Sequence, residues 1–280
     1  MMEFTFKGEK KQIPAMLEEL DTKQYIEFLK LSSIMSKGYL TPGVFRVKWI
    51  SVLLGLKTDY TQYVPEIVAE VDAQLDKLDG FFDYEPMPDG DGRVVTPRLK
   101  TGRQMMKEYA GWVGPGDMLD GMTFGNFTDC LTIMTMIKTA IDEGEEEETI
   151  AEMYQEMTRK IYRPAVPVPE TEKLVPPPLL VLHAVNLFSS VWMQIVSEPV
   201  YINGQTVNFS ILFSGMQNNG RAGLDDKTGW QGITFEVAGS GVFGRVQDVN
   251  ATPFWDVLLY LYKCKFEYMH NLNTASRKSH

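Results

Sequence analysis

Residues Val175–Ser197 (VPPPLLVLHAVNLFSSVWMQIVS) contain no Asp, Glu, Lys or Arg. A run of this kind must be covered by lipid or by protein, and its length matches the roughly 20 apolar residues of a spanning helix. Wound as a helix, however, it gathers His183, Asn186, Ser190 and Gln194 into one polar stripe on an otherwise apolar surface. A membrane helix would need a second helix to satisfy that stripe, and the flanking Lys173 and Glu198 supply no basic cluster to orient insertion. The segment is therefore read as a buried or interface helix rather than a membrane span.

The rest of the chain reads as mainly α and bundle-like, with a small N-terminal β-hairpin and short strands in the C-terminal half. Residues 3–13 alternate apolar and polar positions around a turn at Gly8-Glu9. Asp21 or Thr22 caps a helix whose Tyr25, Phe28 and Leu29 share a face. A second helix is expected over 43–55 with Val44, Val47, Ile50 and Leu54 inward, and a third from Val64 through Leu78 with Pro65 in its first turn. After the Gly-, Pro- and Asp-rich stretch 79–97, helices are predicted around 102–110, from Met122 to Ala140 with Thr123 as cap, and along Ile150–Ile161. Arg163–Pro178 holds six prolines and reads as an extended connector. It divides the chain into 1–162, the connector 163–178, and 179–280. Beyond it, Tyr201–Phe213 is strand-like with a turn at Asn203-Gly204, 216–229 is loop-like, and Trp230–Val237 suits helix or strand. The last helix is expected over 252–272, with Thr252 capping and Pro253 in first position.

Composition narrows the function. The 280 residues carry 27 Lys and Arg against 37 Asp and Glu, a net charge of -10, which disfavours general capture of a nucleic-acid backbone. The start, Met1–Gly8, lacks the features of a secretory signal. Asp89-Gly90-Asp91-Gly92 fails as a calcium loop, because its twelfth position is Lys100. Gly111–Gly116 is not a dinucleotide fingerprint, and neither a phosphate-binding loop nor a G-x-S-x-G elbow occurs. Cys130 and Cys264 have no C-x-x-C partner and read as inert core thiols. With three histidines and no convergent constellation, no catalytic, cofactor or metal residue is assigned, and the chain is read as non-enzymatic. An enzyme with a site near His183 stands as an alternative. The acidic run Glu143–Glu148 reads as a solvated helix start, its functional variant being docking to a basic partner.

Three stretches carry a resemblance: the hairpin, with Ile13-Pro14, followed by Leu20–Phe28; Thr123-Phe124-Gly125-Asn126-Phe127-Thr128-Asp129; and Pro253-Phe254-Trp255-Asp256-Val257-Leu258-Leu259-Tyr260-Leu261. Together they resemble small acidic morphogenesis proteins of tailed bacteriophages, including tail assembly chaperones and neck or tail components. The likeness touches about a quarter of the chain and concerns helix starts and aromatic placement; the Gly- and Asn-rich stretch 214–229 departs from it. It implies a structural or assembly role through protein–protein contacts with other virion or assembly proteins or with like copies, without a cofactor. It also implies residence in the host cytoplasm during assembly and then in the virion. A transient chaperone holding a tape-measure-like client is the alternative within that class. The residues expected to meet a partner are His183, Asn186, Ser190, Gln194, Trp192 and Trp255.

Overall fold

The N-terminal hairpin pairs β1 (Met2–Phe6) with β2 (Glu9–Ile13), in register Met2↔Ile13 to Phe6↔Glu9. The turn residues are therefore Lys7-Gly8, one position earlier than expected, and both adopt positive φ, as a two-residue hairpin loop requires. This computed structural model describes residues 1–87, 93–167, 169, 174–202, 204–213 and 229–278, with side chains of the last helix to 271. It contains two compact units, Met1–Met106 and Lys107–His280.

In the first unit, Asp21 opens α1 (Thr22–Ser36) with a capping box: its carboxylate accepts from Gln24 N at 2.8 Å while Gln24 Oε1 accepts from Asp21 N at 3.1 Å. The second helix, α2 (Pro42–Leu53), is turned relative to expectation. Phe45, Trp49 and Ile50 are fully buried while Val44 is exposed, because the two aromatic side chains carry far more apolar area than the valines. They meet Phe28, Phe81 and Phe82 in a ring cluster, with centroids 4.9 Å apart for Phe28–Trp49 and 5.2 Å for Trp49–Phe81.

The third helix, α3 (Pro65–Asp72), stops six residues short of Leu78 and gives way to a 3-10 stretch at Leu75–Phe81. Tertiary bonds compete with its continuation. The Gln74 side chain accepts from Thr5 N at 2.9 Å and donates to Thr5 O at 3.0 Å, completing the open edge of β1. A second hairpin, β3 (Phe82–Pro86) with β4 (Arg93–Pro97), closes the unit. The acidic turn Asp89–Gly92 lies outside the described residues.

No helix forms over 102–110. Instead β5 (Glu108–Tyr109) and β6 (Trp112–Val113) pair around Ala110-Gly111, and β7 (Arg163–Pro164) adds to β6. That pairing places the expected connector within the second unit. Ala165 N donates to Gly111 O at 2.8 Å, Arg159 Nη1 donates to Leu174 O at 3.3 Å, and the helices on either side of the prolines pack together. Those helices are α5 (Glu147–Ile161) and α6 (Pro178–Ser197), and α5 also packs on α4 (Phe124–Glu143). Glutamates in the first turn of α5 and Arg159 and Lys160 in its last suit its dipole.

Among the described residues, α6 alone is long and apolar enough to cross a membrane. It buries Leu180, His183, Ala184, Leu187, Phe188, Val191 and Ile195 inside the unit, spaced as one helical face.

The C-terminal half has the expected short strands, β8 (Val200–Ile202) and β9 (Gln205–Val207), then α7 (Ser210–Phe213), α8 (Gly229–Gly239), α9 (Val246–Ala251) and α10 (Phe254–Lys278). Trp230–Val237 is thus helical, and most of 216–229 lies outside the described residues. Thr252 does not cap α10: its hydroxyl donates back to Asp248 O at 2.8 Å, and Pro253 precedes the first helical residue. The starts of α4 and α10 are instead joined to each other. Phe124 N donates to Thr252 O at 2.8 Å, Phe254 N donates to Met122 O at 3.0 Å, and Phe127 stacks on Phe254 at 4.6 Å.

Two glycines of the first unit should respond oppositely to alanine. At Gly80 a Cβ would meet Ala15 O at 2.3 Å, so Gly80→Ala should cost about 1–3 kcal/mol. Gly43, inside α2, has open space at its Cβ position, so Gly43→Ala should stabilise by about 0.5–1 kcal/mol. Urea denaturation of both variants checks this, and equal effects would contradict the close approach at Gly80.

Candidate functional site

Of the six residues expected to meet a partner, five lie on α6 and the sixth, Trp255, at the start of α10. His183 is fully buried on α6, its ring 6.3 Å from that of Tyr162, and desolvation pushes its pKa down to about 4. Asn186 Nδ2 donates to Leu182 O at 2.7 Å, and Ser190 Oγ donates to Asn186 O at 2.6 Å. These two members of the polar stripe thus bond to the backbone of α6 itself. Trp192 packs against Phe213 at 5.1 Å, Phe127 at 6.1 Å and Trp230 at 6.3 Å. Trp255 donates from Nε1 to Met118 O at 3.0 Å and leans on Phe209 and Phe254. Both indoles therefore serve their own core, joined through the chain of rings Trp192–Phe127–Phe254–Trp255. Gln194 is half-buried on α6.

A groove of about 1340 Å³ lies elsewhere in this unit, floored by α4 and walled by the start of α5, by α8 and by α9. Thr128, Thr132, Thr135 and Thr139 fall on one face of α4, at the spacings a helix requires. That periodicity is legible in the sequence, but threonine there reads as ordinary polar surface. The hydroxyl bonds change its meaning. Thr128 donates to Gly125 O, Thr132 to Thr128 O and Thr135 to Leu131 O, at 3.0, 3.0 and 3.1 Å, and on α8 Thr234 donates to Trp230 O at 3.0 Å. Thr128 and Thr234 are themselves buried, whereas Thr132 and Thr135 are exposed with their hydroxyls turned to their own helix, which leaves their γ-methyls to meet an occupant. Met136 and Phe235, 51% and 57% exposed, add thioether and ring surface.

Three carboxylates, Asp129, Glu143 and Glu145, line the groove, and among the described residues no lysine or arginine does. Asp129 holds Lys160 at 2.7 Å, and this bond keeps the ammonium above its usual pKa. Glu143 and Glu145 form no ion pair among the described residues. The groove thus offers apolar surface with negative charge at the C-terminal end of α4.

Cys130 is buried and its thiol pKa is raised by desolvation, as expected of an inert core thiol. Cys264 is exposed on α10 instead, because the apolar stripe of that helix passes beside it. Among the described residues no three His, Cys, Asp or Glu side chains gather where a cation could be held. No family model, curated protein or solved structure matches this chain.

Burial of His183 has a measurable consequence. Its folded pKa lies below the unfolded value of about 6.5, so the stability it contributes is complete above that pH and is lost as pH falls towards 4. By pH 5 the loss should reach about 2 kcal/mol. Urea unfolding of wild type and His183→Leu at pH 7.5 and 5.0 measures it: the drop should be smaller in the variant by that amount. Identical drops would show that His183 is not desolvated.

Proposed function

We propose that the chain is a structural or assembly component of a tailed-bacteriophage virion, acting through contacts with other proteins. What supports the contact role is apolar surface left uncovered on the second unit: Met136 and Phe235 in the groove, and Phe266, Tyr268 and Met269 on the outer half of α10. Contiguous patches of this sort on a folded chain are the usual mark of a protein interface. What supports the virion setting is the sequence resemblance alone, carried by the N-terminal hairpin with Leu20–Phe28, by Thr123–Asp129 and by Pro253–Leu261. Two of those stretches are neighbours in space, where the starts of α4 and α10 bond to each other.

Within this reading a permanent virion part is favoured over a transient chaperone, because large aromatic content is committed to a fixed core around Phe127. The enzyme alternative gains no support at His183, which is fully buried and does not line the groove.

Peptide mass spectrometry of purified particles tests the proposal. A virion part should be recovered at a fixed ratio to the other structural proteins. Its absence from particles, with recovery only in lysates during assembly, would transfer the role to the chaperone alternative, and absence from both would end the phage reading.

A further inference from the structure

We propose that the outer half of α10 of one copy lies in the threonine-lined groove of the next, so that the chain assembles with itself head to tail. This rests on the protein-contact part of the reading above and names both partner and surfaces.

The argument begins with the stripe on α10. Leu258, Tyr262, Phe266 and Met269 recur at helical spacing and so share one face. The stripe starts inside its own unit, where Phe254, Val257 and Leu258 are fully buried. Tyr262 still rests on Phe209, at 5.9 Å, and stacks on Phe266 at 6.3 Å. Beyond that point the cover ends: Phe266 is 58% and Met269 43% exposed. Because α10 is one continuous helix held at its start, this half cannot bend back over its own groove without breaking backbone hydrogen bonds.

Size and charge then select the occupant. The segment Tyr262–Asn271 is about 15 Å long at 1.5 Å per residue and about 10–12 Å across, a rod of a length that can lie along the α4 floor of the groove. Lys263, which lies 3.9 Å from Glu267 of its own helix, and Lys265 flank the stripe, while Glu143 and Glu145 in the groove have no ion-pair partner among the described residues. Phe266 and Met269 would meet the threonine methyls, Met136 and Phe235. One chain carries both halves of a fit in length, apolarity and sign of charge, so a second copy is the occupant they specify. Helix and groove are different surfaces, which makes the contact heterologous.

Sedimentation velocity of the full chain over a concentration series tests this. The mass should rise with concentration and fall with added salt. Phe266→Glu with Met269→Glu, and separately Thr132→Arg with Thr135→Arg, should each weaken self-association by roughly tenfold or more. All four positions are exposed, so unfolding temperatures should stay at the wild-type value. Mixed together, the two variants should form complexes of two copies and no larger, since each keeps one working surface. In a second set, Lys263→Glu with Lys265→Glu should weaken association, and a partner carrying Glu143→Lys with Glu145→Lys should restore it. A chain that stays monomeric at every concentration overturns the proposal, as does an oligomer indifferent to these substitutions or variants that fail to complement. A monomer found in particles would sink this inference alone, whereas an oligomer absent from particles would sink only the virion setting.

Discussion

The second unit depends on the joint between the starts of α4 and α10. A helix begins with backbone N–H groups that its own turns cannot satisfy, and a buried donor left without a partner costs about 1–3 kcal/mol. Here the first N–H of each helix donates to the chain just ahead of the other: Phe124 to Thr252 O and Phe254 to Met122 O. Both phenylalanines are fully buried, so water could not substitute for either carbonyl. The bridge brings together residues far apart in sequence, and it sets Phe127 face to face with Phe254. From that stacked pair the ring network spreads to Phe188 and Trp192 on α6 and to Trp230 on α8. The uncharged helix joins this network through Phe188 and Trp192. Its apolar face is covered chiefly by α5, with the Asp117–Leu119 turn and α7 beside it.

How much of this the sequence discloses depends on whether the cause is local. The Asp21 capping box, the Thr123 cap and the period of α4, α5 and α6 are local, and the elements appear where caps and spacing put them. Where a distant group competes, the local signal misleads. Gln74 leaves the helical path to serve the edge of β1, which ends α3 early; Thr252 turns back to Asp248, and the joint with α4 takes over at the start of α10. Arg163-Pro164 looks like an inter-domain connector until β6 pairs with it.

The candidate surfaces follow the same division. The polar stripe of α6 is visible in sequence, but its meaning was not: an asparagine or serine in a helix can bond to the carbonyl four residues back, and Asn186 and Ser190 do so. Trp192 and Trp255 are large and amphipathic, as interface residues tend to be, yet their rings are used at home. The groove reverses the error. Threonine suggests hydration, and only the direction of its hydroxyl shows that the face presented outward is methyl.

An acidic chain with a locally basic helix end also limits its own geometry. At a net charge of -10, copies repel at a distance, and in the proposed contact that repulsion would be relieved where Lys263 and Lys265 approach carboxylates. Two grooves brought together would oppose Glu143 and Glu145 with their equivalents, and two α10 ends would oppose lysines with lysines. Like-with-like docking is therefore penalised on both surfaces, and helix-to-groove docking is the one arrangement in which charge and apolar area agree. A heterologous contact leaves one groove and one helix open at the ends of every short assembly, so growth stops only by closing a ring or by meeting a different protein. In such an assembly the rotation between successive copies would decide between ring and filament, and the direction in which the joint with α4 aims α10 would set that rotation.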